Sequence, residues 1–185
     1  MRLIEQVIPD VKLLVPTVHR DARGFFTERW RSGVPGLPER WLQDNHSRSQ
    51  RGTLRGLHYQ LDPHAQGKLV GVVRGRILDV AVDLRRGSPW YGQHVAVELD
   101  DEAQAQLWVP RGFAHGFLVL SEVADVLYKV DNPYDRASER GVRYDDPALG
   151  IDWAGFGVGA EQPLVSEKDA VLPPLAEAEH DFVYP

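Results

Sequence analysis

GKLVGVV (Gly67–Val73), the pair Arg74-Gly75 and RILDVAVDL (Arg76–Leu84) decide the fold. Two valine-, isoleucine- and leucine-rich runs of strand length are parted only by an Arg-Gly turn. Downstream, HVAVEL (His94–Leu99) alternates, with Val95, Val97 and Leu99 on one face and His94, Ala96 and Glu98 on the other. AQLWVP, GFLVLSE and DVLYKV are further short β-rich runs bounded by Gly, Pro or charged residues. The 17 glycines and 13 prolines are scattered along the chain, as many short elements separated by turns require. Short strands at regular spacing, without a long helical period, indicate a sandwich or barrel. DEAQAQ (Asp101–Gln106) reads as one helical turn, and the tail after Pro173 as a place for another. The expectation is an all-β, antiparallel domain over residues 1–185, with a core over about 21–170 flanked by an N-terminal arm and a C-terminal tail.

Composition narrows the function. A hydrophobic share of 43% and a charged share of 26% are those of an ordinary soluble globular protein. Nothing approaches the roughly 18 apolar residues of a membrane span, and Glu5, Gln6 and Asp10 interrupt any leader-like run. A cytoplasmic location is therefore expected. The absence of cysteine excludes disulfides, thiolate metal sites and cysteine nucleophiles. The net charge of -6 argues against nucleic acid as the main partner.

One block departs from that acidity. Between Asn45 and Arg76 stand Arg48, Arg51, Arg55, Lys68, Arg74 and Arg76 against the single acid Asp62. Arg and Lys match the charge and geometry of phosphate, so the block points to an anion site. Within it, RGLHYQ (Arg55–Gln60) surrounds His58 with cations. His58 is either a hydrogen-bonded histidine at a strand end or, oriented by a carboxylate, a general base. Strict alternation puts Arg55 and His58 on opposite faces, so one pocket for both requires a twist or bulge, for which Gly56 is the natural place.

Other candidates carry the same double reading. His115 in PRGFAHGF is a core histidine, or it pairs with an acid such as Asp79, which with Asp83 lies among apolar residues in LDVAVD. Tyr128 in VLYKV is a core tyrosine, or a phenol aimed into a basic pocket as a proton donor. Asp169 in SEKD is an exposed acid at a helix start, or the partner of a histidine. No metal is expected, because the tripeptide His58-Tyr59-Gln60 lacks a second histidine and His64 sits in a Pro- and Gln-containing loop.

Taken together, DARGFF followed by Glu28, QDNHSRS, LRGLHYQ, QGKLV (66–70), DVAVDLRRGSPWYG, VPRGFAHGFLVLS, LYKVDNPY, DDPALGIDW and LVSEKD resemble the dTDP-4-dehydrorhamnose 3,5-epimerase family, from about Asp21 to Asp169. The resemblance implies a cofactor-independent, metal-free cupin-type jelly roll acting as a homodimer. It implies inversion of C3 and C5 of dTDP-4-keto-6-deoxy-glucose. On matching positions, His58 resembles the base, Asp169 its orienting acid, Tyr128 the proton donor and Lys68 the group that stabilises the enolate. Arg55 matches a contact to the diphosphate or sugar, with His115 and Asp79 as a supporting pair. Gln43, Asn45 and Tyr134 resemble pocket residues, and Arg23 and Glu28 resemble contacts donated by a partner subunit. Relatives that epimerise one carbon, and a silent or metal-binding cupin module, are the alternative readings.

Overall fold

In a computed structural model describing residues 1–156 and 162–185, the chain is built almost entirely of strands. They are β1 (Arg2–Glu5), β2 (Lys12–Val15), β3 (Val18–Asp21), β4 (Gly24–Thr27), β5 (Gln43–Gln50), β6 (Leu54–Gln60) and β7 (Lys68–Arg74). There follow β8 (Arg76–Asp83), β9 (His94–Asp100), β10 (Gln106–Val109), β11 (Phe113–Val119), β12 (Val123–Val130) and β13 (Glu139–Gly141). A six-stranded sheet runs β1-β2-β10-β7-β12-β5, a five-stranded sheet runs β13-β6-β11-β8-β9, and β3 and β4 form a separate hairpin. All the strand pairs in these sheets are antiparallel. The two large sheets face each other across a common core, the cupin-type jelly roll that the family resemblance implied.

The turn at Arg74-Gly75 is present, but the strands on either side of it part company. β7 pairs with β10 and β12, whereas β8 pairs with β11 and β9. The chain thus crosses from one sheet to the other at Gly75, whose φ is +82°. A Cβ there would come within 2.2 Å of the Val123 carbonyl oxygen, so only glycine fits the crossing.

Three apolar layers account for the composition of the central strands. Between the sheets lie Val70, Val72, Ile77, Ala81, Val95, Leu99, Leu107, Phe113, Phe117 and Val126. Behind the five-stranded sheet, Leu78, Val80, Val82, Ala114 and Leu118 pack under Leu149, Leu175 and Phe182 from the C-terminal third. Outside the six-stranded sheet, Leu14, Leu69 and Trp108 are covered by Trp30, Leu37 and Trp41. β8 is therefore buried on both faces, which is why RILDVAVDL reads as nearly continuous apolar sequence. Its alternation turns Leu78, Val80 and Val82 outward to the second layer and leaves Asp79 and Asp83 fully buried on the other side.

The helical elements are short. Glu167–Ala170 forms α1, capped by Ser166, and Leu175–Glu177 makes a 3-10 turn in the tail where one was expected. DEAQAQ does not form a helical turn. Asp100 accepts the N–H groups of Glu102 (3.0 Å) and Ala103 (2.6 Å) as a helix cap does, but the chain makes only a turn there. Gln104 then takes a positive φ of 57° and β10 begins at Gln106.

The feature that shapes the interior is in β6. His58 stands opposite His115 and Arg55 opposite Phe117, so three steps along β6 match two along β11. This is a β-bulge at Gly56, where φ is +122°. A Cβ at Gly56 would lie 2.6 Å from the Gly116 Cα and 2.7 Å from the His115 carbonyl oxygen. Gly56→Ala is expected to cost about 2–4 kcal/mol of stability in urea unfolding, the scale of a backbone clash compounded by a disallowed φ. A variant as stable as the parent would show that the bulge tolerates a side chain.

Candidate active site

The bulge puts the side chains of Arg55 and His58 into the same cleft between the sheets. One lobe of it, about 480 Å³, is lined by Arg55, His58, Lys68, His115, Tyr128 and Asp169, among others. A smaller lobe of about 280 Å³ shares His58, Lys68 and Tyr128 and adds Gln43, Asn45, Tyr134 and Glu139. Each strand supplies its residues by alternation. β5 turns Gln43, Asn45, Ser47 and Ser49 inward, β7 contributes Lys68, and β12 contributes Tyr128.

His58 Nε2 lies 2.6 Å from Asp169 Oδ1. An ionised carboxylate only accepts, so Nε2 carries the proton and Nδ1 is left with the lone pair. Asp169 is brought to this position by α1, whose cap Ser166 accepts the Asp169 backbone N–H at 3.1 Å. The Gly56 N–H donates to Asp169 Oδ2 at 3.3 Å, so the bulge both aims the histidine and steadies its acid. Burial pushes the Asp169 carboxyl up, but the His58 hydrogen bond and charge, with help from Gly56 and Ser166, hold it below the ordinary value.

Lys68 is almost completely buried and donates from Nζ to the His58 carbonyl at 3.1 Å. Burial lowers it to about 8, against the pull of Asp79 and Glu139. Nearby, His115 Nε2 meets Asp79 Oδ1 at 2.8 Å, the pairing anticipated for these two residues, while Asp79 Oδ2 is buried without a hydrogen-bond partner. Tyr128 is raised above its ordinary value, mainly by burial, with Arg55 opposing and Glu139 reinforcing the shift. Arg55 itself donates from Nε to Ser49 Oγ at 3.0 Å.

Gln43, Asn45 and Tyr134 form the rim of the smaller lobe. Gln43 Nε2 donates to Asn45 Oδ1 at 2.7 Å, and Gln43 Oε1 accepts the Tyr134 backbone N–H at 3.0 Å. Glu139 lines this lobe as well, Lys168 reaches it from the larger one, and neither was picked out from the sequence. Tyr134 Oη donates to Glu139 Oε2 at 2.8 Å, and Lys168 Nζ lies 2.5 Å from the same oxygen. Lys168 was visible only as the neighbour of Asp169 in LVSEKD. Glu139 sits in a polar loop whose strand character depends on pairing with β6. No local pattern marks it.

Arg23 and Glu28, expected as contacts donated by a partner subunit, line neither lobe of this chain's own cleft. Arg23 sits at the exposed β3–β4 turn, 2.6 Å from Asp21, and Glu28 pairs with Arg31 at 3.5 Å. Glu28 lines an adjoining groove with Phe26, Trp30, Leu127 and Lys129, which shares Asn45 and Tyr128 with the cleft. The basic block also disperses, because alternation sends its members to different faces. Arg48 turns outward to Asp125 at 2.8 Å, and Arg76 pairs with Glu98 at 3.3 Å. Of the six cations, only Arg55 and Lys68 line the cleft.

A jelly roll whose interior holds a histidine–carboxylate pair, a buried lysine and a tyrosine in one cleft has the acid–base groups that a cupin-type isomerase needs. Residues 5–177 match the family model for dTDP-4-dehydrorhamnose 3,5-epimerase. The enzyme of that name from Pseudomonas aeruginosa is 48% identical, the match covering 97% of this chain and 98% of the relative. The Shigella flexneri enzyme is 47% identical over 91% of this chain and 93% of its own length. A Legionella pneumophila epimerase, crystallised with dTDP-4-keto-L-rhamnose, superposes with a TM-score of 0.89 at 46% identity, covering 95% of this chain and 93% of that one. The chain belongs to the dTDP-4-dehydrorhamnose 3,5-epimerase family.

The lowered lysine is directly measurable. In lysine-labelled NMR one resonance should titrate near pH 8 and vanish in Lys68→Met. Because the folded value lies below that of a free lysine, the fold binds fewer protons between about 8 and 10.5. This group therefore makes stability rise with pH across that window. A Lys68 resonance titrating above 10 would contradict the burial argument.

Proposed function

We propose that this chain inverts C3 and C5 of dTDP-4-dehydro-6-deoxy-D-glucose through enolate intermediates, giving dTDP-4-dehydro-L-rhamnose. The observation that carries this reading is the convergence of the His58–Asp169 pair, Lys68 and Tyr128 on one cleft. A proton next to a ketone is weakly acidic, and a base removes it at useful rates only if charge on the carbonyl oxygen is stabilised as it forms. His58 Nδ1 takes the proton. The C–H electron pair moves into the C4 carbonyl, and the Lys68 ammonium faces the developing O4 enolate. Tyr128 then gives its phenolic proton to the same carbon from the other side, and the carbonyl re-forms with inverted configuration. Tyr128 then takes a proton back from solvent, and His58 gives the proton it abstracted up to solvent. No electron leaves the substrate, so the sequence of steps needs no redox partner.

Arg55 is assigned to the diphosphate, and Gln43, Asn45 and Tyr134 to the smaller lobe and its rim. Binding energy gathered there from the unreactive nucleotide end holds the sugar in place for proton transfer. His115 and Asp79 stand behind Lys68 as a supporting pair. We infer in addition a homodimer in which Arg23 and Glu28 complete the neighbouring site. That inference is supported by a hairpin lying outside both large sheets, with Phe25 and Phe26 50% and 72% exposed. The cytoplasm, with its nucleotide-sugar pool, is the proposed location.

Incubation with the 4-keto-6-deoxy nucleotide in deuterium oxide should place deuterium at both C3 and C5, read by NMR of the product. Label at one carbon only identifies a mono-epimerase. No label with competent substrate would dismiss proton chemistry altogether.

Two substitutions separate the roles. His58→Ala should slow exchange about 10²- to 10⁴-fold, the usual contribution of a positioned base. Tyr128→Phe should still wash out substrate protons while failing to deliver inverted product at a normal rate. Normal turnover by the phenylalanine variant would return Tyr128 to a structural role.

A further inference from the structure

Ser49 is a residue for which the proton chemistry has no use, and its surroundings give it one. It lies on the inward face of β5, next along that face from Ser47, and is 6% exposed. Its hydroxyl accepts the Nε–H of Arg55 at 3.0 Å, and no other hydrogen bond holds the Arg55 guanidinium among the described residues. Arg55 is otherwise exposed, with a long side chain free to sample many rotamers.

A guanidinium presents five N–H donors in a rigid plane. Fixing Nε on one side dictates where the other four point. With the Nε edge turned to Ser49 in the strand wall, the edge carrying Nη1 and Nη2 is left open to the cleft, and that edge meets phosphate oxygens in a bidentate fashion. The bulge at Gly56 brings Arg55 to this wall but does not set the rotation of its plane. A hydroxyl is suited to that task because it accepts from the arginine without neutralising it. A carboxylate in the same place would form an ion pair and compete with an anionic ligand. Elsewhere on the same strand, Arg48 is spent on Asp125 in that way.

We propose that Ser49 is a positioning residue that orients Arg55 toward the diphosphate of the nucleotide-sugar, so that the strength of phosphate recognition depends on a neutral hydroxyl on β5, in the sheet facing the one that carries His58. The inference rests on the assignment of Arg55 to the diphosphate. Its signature is selective, because Ser49 acts on the phosphate end of the ligand and leaves the nucleoside end alone.

The test compares binding of dTDP with binding of thymidine, by calorimetric titration and competition, in the parent and in Ser49→Ala, Ser49→Thr and Arg55→Gln. In Ser49→Ala the dTDP affinity should fall about three- to tenfold, the scale of one hydrogen bond to an arginine whose other contacts persist. Thymidine affinity should be unchanged. Ser49→Thr, which keeps the hydroxyl, should restore most of the dTDP affinity, and Arg55→Gln should lose at least as much as Ser49→Ala. If Arg55→Gln loses the preference for dTDP and Ser49→Ala retains it, the role of Ser49 is overturned while that of Arg55 stands. If Arg55→Gln retains the preference, both fall. Equal losses for dTDP and thymidine in Ser49→Ala would make Ser49 a packing residue only.

Discussion

In β6 the chain spends three steps where its neighbour β11 spends two, and the cleft is arranged around that extra residue. Without the bulge at Gly56, Arg55 and His58 point to opposite sides of the sheet, one into the cleft and one away from it. With it, both line the same cavity, and the freed Gly56 N–H turns to Asp169. A single backbone irregularity thus joins the cation, the imidazole and the carboxylate. The close approach of Gly116 and His115 explains why this strand contains a glycine at the position where a central strand loses most by having one.

Around that feature the fold places charges where burial makes them expensive. Lys68, Asp79, His115 and Asp169 are nearly or fully buried, and each is offset by a partner. Asp169 has His58, Gly56 and Ser166; His115 has Asp79; Lys68 has one carbonyl and the field of two acids. The offset for Lys68 is incomplete, and its lowered value records the remainder. A lysine held this way is primed to gain from negative charge appearing beside it, which is the condition for stabilising an enolate more than a ketone.

Much of this was legible in the chain. Period-two alternation located the strands, because a face buried between sheets must be apolar at every second residue. The double burial of β8 showed as unbroken apolar sequence, and its two acids could be expected to lie inward for the same reason. The need for a bulge at Gly56 followed from the spacing of Arg55 and His58 alone. What escaped reading was whatever depends on partners distant in sequence. The strands flanking Gly75 belong to different sheets, a matter of which edges they meet and not of their own residues. DEAQAQ has helix-forming composition and Asp100 accepts N–H groups as a helix cap would, but Gln104 turns to a positive φ and the pairing of β10 with β2 and β7 claims the chain from Gln106. Glu139 gains its place only through pairing with β6, and Arg48 loses its place in the anion site because alternation turns it toward Asp125.

By itself, then, the sequence determined that this is an all-β chain with a basic, histidine-centred site and residue types suited to moving protons, since local periodicity and side-chain chemistry are properties of short stretches. Only the tertiary structure decided which of those residues meet. The bond from His58 to Asp169 spans more than half the chain, and the wall of Gln43, Tyr134, Glu139 and Lys168 draws on four separate segments. Contacts of that range are set by sheet register and by one bulge, and no window of sequence contains them.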